Sequence, residues 1–333
     1  MYIKRIKEKF KETPTFYYSM SIAATWAGVG SLMNGITMLR KYGIIPFLIW
    51  TIGNVLACAV FGLLAPTVPR LRDVFRSKTM HLVVGIMCVF QIWLNMTGIQ
   101  EIFAETRLGG SFGMIIAYTA AVFFLVLLLR FGMIRNVLTD NMSWWGVYIV
   151  AVALSICGVL ASHGNMVVLD MGLTTERIYV GCNKGLLLLP GAFLYPYFFD
   201  ILDYNDSNAD GTTKINTRRA FCIGGVLFGV YLIFPFLFAW TNFGPALNIL
   251  KAVLVTLVAI STLSSFLYSV YITFGRKAGL VINVISVGAW QLLMPLGVMG
   301  VWTLMAQIRI YIVAGAFAAA FVWHMTDRKA ARI

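Results

Sequence analysis

The chain has 333 residues, of which 60% are hydrophobic and 12% are charged. Such an apolar composition excludes a water-soluble domain and predicts a protein that crosses a lipid bilayer several times. The formal net charge of +13 does not require a nucleic-acid partner, because membrane proteins concentrate Lys and Arg in their cytoplasmic loops. The five cysteines form no C-x-x-C pair and the three histidines are scattered, so we expect no metal centre, no cofactor and no enzyme active site.

Ten apolar segments, each about as long as a bilayer is thick, follow one another along the chain. They predict an all-α polytopic membrane protein with ten transmembrane helices in a single transmembrane domain, residues 1–333. In chain order, the predicted spans are residues 16–39, 44–64, 80–103, 112–129, 143–162, 185–202, 220–240, 245–274, 280–303 and 308–322.

The positive charges are distributed unevenly between the two ends of these spans. Ten spans place both termini on the same side of the membrane, and 19 of the 26 Lys and Arg residues then lie on that side. Because positively charged loops stay in the cytoplasm, we expect both termini to be cytoplasmic, in a bacterial plasma (inner) membrane. Lys251 and Arg309 are predicted near the outer surface, where their long stems let the charge reach water.

The ten spans divide into five plus five, with repeat one at about 14–163 and repeat two at about 183–325. Spans one and six are then counterparts, and both contain residues that interrupt a helix. These are Gly28, Gly30 and Gly35 in span one, and Pro190 and Gly191 in span six. Interruptions at matching positions of two inverted repeats indicate a transporter binding site. The alternatives are a helix-packing surface at the glycines and an ordinary proline kink.

Span eight contains hydroxyl groups at a spacing that suits an ion. Ser261 and Thr262 lie three and four residues after Val258, so both hydroxyls share a helix face with its carbonyl. Together with carbonyls freed by the interruption of span one, these oxygens would form a Na⁺ site without a carboxylate. The alternative is that both hydroxyls bond only to the preceding helical turn, as they often do in membranes.

Three motifs resemble those of the sodium:solute symporter family, most nearly its choline-transporter branch. They occur in the family's order: ATWAGVGSLMNG at 24–35, GMIRNVLTD at 132–140 and VAISTLSS at 258–265. The resemblance implies a LeuT-type fold of the APC superfamily, reduced to a ten-helix core. Two departures concern span one and the start of span five: the distance from Gly35 to Gly43 is longer than usual, and Ser143 stands where the family often has glutamine.

The resemblance also implies an ion site between spans one and eight. Asp140 would lie near the cytoplasmic exit of the ion; alternatively, it is an acid at the start of a helix. The Na⁺ ligands would be the carbonyls of Ala23, Trp26 and Val258 and the hydroxyls of Ser261 and Thr262.

The candidate residues for a solute pocket are polar, aromatic or helix-breaking residues predicted at mid-membrane depth. They are Thr25, Gly28, Gly30, Asn34, Gln91, Asn95, Pro190, Gly191 and Tyr195. Buried amides in membranes more often bond between helices than bind a solute, and that alternative stays open for each of them.

We therefore expect a secondary transporter that imports a small organic solute together with Na⁺ by alternating access. Its partners would be the solute, Na⁺ and the lipid bilayer, without nucleic acid. The alternatives are a ten-helix drug/metabolite-type transporter, a proton-coupled transporter, and a sensor or scaffold that has a transporter-like fold but no transport.

Overall fold

A computed structural model describes residues 14–128, 133–161, 167–207, 215–240, 245–292 and 294–330. All regular secondary structure within these ranges is helical. The α-helices are α1 (Pro14–Trp26), α2 (Val29–Tyr42), α3 (Ile44–Leu64), α4 (Leu71–Phe75), α5 (Lys78–Ala104), α6 (Gly109–Leu128), α7 (Met133–Ala161), α8 (Thr175–Leu186), α9 (Pro196–Ser207), α10 (Thr217–Tyr231), α11 (Ile233–Trp240), α12 (Pro245–Phe274), α13 (Arg276–Ala289) and α14 (Gly297–Ala330).

Length and apolar composition identify the membrane-crossing elements. Within the described ranges, seven spans qualify on their own, and nine qualify if each of two bent helix pairs counts as one span. The pair α1–α2 bends by 65°, and the segment Thr175–Leu194 meets the start of α9 at 54°. The protein is therefore an all-helical polytopic membrane protein, and its two bent pairs contain the two spans in which the sequence predicts interruptions.

The boundary that the sequence predicts between spans nine and ten is wrong. Helix α13 has only 14 residues, and two short 3₁₀ turns follow it before α14 runs unbroken for 34 residues. The break lies at Pro295 and Gly297, where proline lacks an amide hydrogen and Gly297 has a φ of 64°. Arg309 therefore lies twelve residues inside α14, about 18 Å from its start, and not at the outer surface.

A second difference concerns the stretch before span six, where the sequence predicts a polar loop. Residues Thr175–Leu186 form helix α8 instead. The side chain of Thr174 accepts a hydrogen bond from the Arg177 amide, and Glu176 lies in the first turn. Both features stabilise a helix start, which explains why charged residues open this helix.

The loop before α8 fixes the start of α3. The carbonyl of Asp170 accepts the Ile44 amide at 2.9 Å. Its carboxylate accepts the Gly172 amide and pairs with Arg177, and these contacts hold the pKa of Asp170 below its usual range. The loop is thereby attached to the transmembrane bundle.

Helices α5 and α12 lie at the centre of the packing. Helix α12 packs against α5, α7 and α13, while α10 packs against α1 and α3. Helix α1 reaches α7, α10 and α12. The α1–α2 break therefore lies inside the bundle, next to α5 and α12.

Candidate ion and solute site

The break between α1 and α2 is capped by an amide from α5. The Asn95 side-chain oxygen accepts the Val29 amide at 3.2 Å, and its nitrogen donates to the Gln91 carbonyl at 2.8 Å. Asn95 is fully buried. A helix that starts inside a bilayer has free amides that no water can satisfy. Asn95 therefore stabilises the interrupted backbone that the glycines permit.

The break ends the hydrogen-bond pattern of α1, and two hydroxyls of α12 contact the first carbonyl that it frees. The Ala27 amide still donates to Ala23 at 3.0 Å, so that carbonyl remains in the helix pattern. The next carbonyl, Ala24, accepts from Ser261 at 3.3 Å and from Thr262 at 3.2 Å. The structure thus joins α12 to the break through Ala24, which the sequence did not single out.

One of these two hydroxyls, that of Thr262, also contacts its own helix. Thr262 Oγ1 lies 3.1 Å from the Val258 carbonyl, and all of these groups are buried. We call these four oxygens the hydroxyl cluster: the carbonyls of Ala24 and Val258 and the hydroxyls of Ser261 and Thr262. They are neutral, hard oxygens at one point of the α1–α12 contact.

Asp140 is fully buried. Its carboxylate accepts from Ser21, from Ser265 at 3.4 Å and from Asn136 at 3.3 Å, and the Ser264 hydroxyl oxygen also lies 3.4 Å from it. No cationic side chain in the described part of the chain lies within 4 Å of it. Hydroxyls and an amide therefore satisfy this carboxylate without a countercharge.

The polar groups around Asp140 lie next to the hydroxyl cluster on the same two helices. Ser264 donates to the Ser261 backbone carbonyl at 2.8 Å, and the hydroxyls of Thr25 and Ser265 are 2.9 Å apart. These contacts bring α1, α12 and α7 together beside the cluster, although none of them ends on one of its four oxygens.

A small cavity lies on the opposite side of the break. Its volume is about 30 Å³, which is room for about two water molecules. It is lined by Trp26, Gly28, Gly30, Ser31, Trp50, Asn54, Gln91, Leu94, Leu188, Tyr195, Trp302 and Arg309. We call it the central cavity. At Gly28, a Cβ would lie 3.4 Å from both Thr262 and Asn95, so this glycine separates the central cavity from the hydroxyl cluster.

The predicted solute residues are distributed around this cavity. Four of them line it: Gly28, Gly30, Gln91 and Tyr195. Gly191 borders a smaller cavity that shares Gln91, Tyr195 and Arg309 with it. Thr25 and Asn95 belong to the polar contacts at the break. Asn34 donates within its own helix to Gly30, and Pro190 precedes the 3₁₀ turn Gly191–Leu194.

The two other predicted Na⁺ ligands differ from each other. The Ala23 carbonyl is bonded within its helix, as described above, whereas Trp26 ends α1 and its carbonyl stays a predicted ligand. The Trp26 ring packs on Tyr195 with centroids 5.4 Å apart. Among the five predicted ligands, the structure brings Val258, Ser261 and Thr262 together.

The sequence did not predict the charged side chain that lines the central cavity, Arg309. Arg309 is only 5% exposed, and its guanidinium lies 5.6 Å from the Trp302 ring centre. Trp50 and Trp302 were not predicted in the cavity either. The available signal was the apolar run around residues 304–307, which continues the helix across the predicted loop and moves Arg309 to its middle.

A larger cavity of about 280 Å³ lies nearer the Lys78 end of α5. It reaches Val84, whereas the central cavity reaches Gln91, seven residues and about 10 Å further along the helix. Arg76 and Asp203, an ion pair, border it and are partly exposed. This wider space lies at the end of the molecule that the charge distribution predicts as cytoplasmic.

Comparison with known proteins adds little to this description. No protein-family model and no curated protein matches the chain. Among solved structures, the manganese transporter of Eremococcus coleocola, crystallised with an aromatic bis-isothiourea substituted compound, is similar with a TM-score of 0.40. The match has 13% sequence identity and covers 95% of this chain and 73% of that one. A likeness this weak supports no conclusion about the fold, ion or solute of this chain.

Proposed function

We propose that this protein is a secondary transporter that imports a small organic solute together with Na⁺ by alternating access. The observation that carries the proposal is the hydroxyl cluster beside a 65° helix break. Broken helices that supply backbone oxygens inside a membrane are the usual ion and solute sites of secondary transporters. The motif resemblance to sodium:solute symporters supports the same assignment.

The proposal includes a ten-helix LeuT-type arrangement of five plus five helices. In it, α1–α2 is the first crossing and the α8–α9 pair is the sixth. Helix α13 with its 3₁₀ turns is the ninth, and α14 is the tenth. The two bent pairs then occupy matching positions of the two repeats.

The coupling follows from the geometry of the break. Na⁺ bound to the lone pairs of the hydroxyl cluster would attract the Ala24 carbonyl of α1 and the Ser261 and Thr262 hydroxyls of α12. This holds α1 against α12 and fixes Gly28, which also borders the central cavity. Ion binding therefore organises the solute site, and ion release towards Asp140 would loosen it.

The test is thermal unfolding of the purified protein in NaCl, KCl and N-methylglucamine chloride at matched ionic strength. A ligand at about a hundredfold excess over its Kd stabilises by about 2.7 kcal/mol. We expect a higher midpoint in NaCl only, and loss of this difference in Ser261→Ala/Thr262→Ala.

The matched control is Thr256→Ala/Ser269→Ala. These two hydroxyls lie on the same helix but donate only to its own carbonyls, at Ala252 and Ser265. The control should keep the sodium response. Equal midpoints of the unsubstituted protein in all three salts would contradict the sodium site.

A proton-coupled transporter is the second candidate, and buried Asp140 favours it. A carboxylate that lies inside a membrane protein without a cationic partner is a natural proton acceptor. If protons replace Na⁺, the three salts should give equal midpoints. The midpoint should then vary between pH 5.5 and 8 in the unsubstituted protein and become insensitive in Asp140→Asn.

A further inference from the structure

Arg309 is a buried positive charge without a carboxylate partner among the described residues. Its Nε makes no hydrogen bond among the described residues, and no carboxylate there lies within 4 Å of its guanidinium. A charge at this depth of a bilayer is costly unless something compensates it. The ring of Trp302 provides a cation–π contact, but a ring supplies no hydrogen-bond acceptor in the guanidinium plane.

Two other residues that line the same cavity have donors without partners in the described structure. The indole nitrogens of Trp26 and Trp50 are buried and make no hydrogen bond within the described structure. Indole and guanidinium groups can only donate. With Arg309, three residues that line the central cavity therefore offer hydrogen atoms, and the ligand that satisfies them must accept.

The charges around the central cavity also favour a ligand that accepts hydrogen bonds and is negatively charged. None of the residues that line the central cavity is acidic. Lys184 is partly buried, and its Nζ lies 5.9 Å from the centre of the Trp302 ring, which Arg309 also contacts. Two cations thus share one tryptophan at the cavity, and the resulting potential attracts anions and repels cations.

The geometry selects a planar anion with an apolar part. A guanidinium matches a carboxylate through two parallel hydrogen bonds. Gly191 leaves room for the Arg309 guanidinium, since a Cβ at this position would lie 2.8 Å from an Arg309 nitrogen. The rings of Trp26, Trp50 and Trp302 surround the rest of the space, and they suit a hydrocarbon or aromatic portion.

We propose that the transported solute is a small organic acid whose carboxylate binds Arg309 and whose apolar part packs against the cavity tryptophans. This inference rests on the proposed transport function and specifies the solute class of that site. The central cavity holds only about 30 Å³, so the acid binds in a conformation in which this space is wider. The bend between α1 and α2 is the element that can open it.

The experiment compares acids with their uncharged amides. Thermal unfolding is recorded in sodium sulfate with acetate, pyruvate or benzoate, and with acetamide, pyruvamide or benzamide. We expect at least one acid to raise the midpoint while its amide does not. In Arg309→Gln the shift should vanish, which corresponds to at least about a tenfold loss of affinity. Arg309→Lys should retain part of it, because it keeps the charge but not the planar fork.

The control variant is Lys251→Gln, which removes a cation that pairs with Glu105 away from the cavity. It should respond to the acid as the unsubstituted protein does. The acid–amide comparison needs no variant, so the test stands even if Arg309→Gln fails to fold. Equal shifts by acid and amide, a full response in Arg309→Gln, or no response to any acid would overturn the proposal. An equal effect of sodium chloride would point to an inorganic anion and would overturn it too.

Repeating the series in potassium sulfate distinguishes a failure of the sodium-coupling proposal from a failure of the organic-acid proposal. An Arg309-dependent acid effect that is the same in both cations would preserve the organic-acid site and remove sodium coupling. A sodium-specific shift without any acid effect would preserve the ion site and remove the organic acid.

Discussion

Gly191 is a residue at which the two bent helix pairs contact each other. It opens the 3₁₀ turn before α9, and its Cα faces Arg309 from α14 and the ring of Trp26 from α1. A Cβ at this position would lie 2.8 Å from an atom of each side chain. Both neighbours are themselves buried, so neither can move freely away.

We therefore predict that Gly191→Ala destabilises the protein by about 1–3 kcal/mol, as overpacking does in a filled core. It should also weaken binding of the acid that responds to Arg309. The matched control is Gly315→Ala on α14, where a Cβ would meet nothing within 4 Å. That variant should be neutral or stabilising by about 0.5–1 kcal/mol, because alanine favours a helix. Denaturant unfolding measures both, and equal effects of the two variants would contradict the packing at Gly191.

For single residues, the sequence predicted which residue types form the candidate site better than it predicted where each residue lies in the structure. Helical spacing places Ser261 and Thr262 on one face with Val258, and the motif resemblance then assigned them to an ion site. Ala24 could not be assigned in this way, because the freed carbonyl depends on where α1 ends, and Gly28, Gly30 and Gly35 leave several possible ends. Arg309 was misplaced for a similar reason: an apolar run does not mark which of its residues lies at mid-depth.

The α1–α2 pair illustrates how one helix positions a break in another. Asn95 and Gly98 both belong to α5, one turn apart, and both act on the first residue of α2. Asn95 accepts the Val29 amide, whereas Gly98 makes room for the Val29 side chain, which a Cβ there would overlap. The amide cap and the close approach together fix both the start and the depth of α2.

A double-mutant cycle tests this approach of the helices. Gly98→Ala should cost about 1–3 kcal/mol through overpacking, and Val29→Ala about 0.5–2 kcal/mol through lost burial. In the double variant the added methyl occupies the space that Val29 vacates. We therefore expect a total cost below the sum of the single costs by at least about 0.5 kcal/mol. Additive costs in denaturant unfolding would mean that the two residues do not share one space.

The interruption of spans one and six was predictable because glycine and proline weaken helices wherever they occur. The place of each break was not, because it depends on neighbouring helices. In the second pair the extended residue is Tyr195, five residues after Pro190, where its ring packs on Trp26 and Phe266. Contacts with neighbouring helices therefore determine which of several helix-weakening residues forms the break.

For the whole molecule, the two cavities give the transport proposal a direction. The narrow central cavity and the wider one near Arg76 lie at successive depths along α5. If the wide cavity is the cytoplasmic vestibule, the solute leaves the central cavity past the 3₁₀ turn Gly191–Leu194. This direction requires the loop after α3 to be cytoplasmic.

The orientation remains a prediction from the distribution of charge. Since Arg309 lies within α14, only six of the 26 Lys and Arg residues remain at the predicted outer end, and Lys and Arg in short loops set the orientation of membrane proteins. Two matched threonines in turns test it: Thr67, exposed after α3, and Thr106, partly exposed between α5 and α6. They should lie on opposite sides of the membrane.

We predict that a membrane-impermeant maleimide labels Thr106→Cys in intact cells and labels Thr67→Cys only after permeabilisation. The background replaces the three cysteines that are not buried, Cys157, Cys182 and Cys222, with serine. Thiols react as thiolates, which form in water and not in lipid, so buried Cys58 and Cys88 should stay silent. Permeabilised cells serve as the control because both sites must then react. The reverse pattern would contradict the predicted orientation and would place the wide cavity outside.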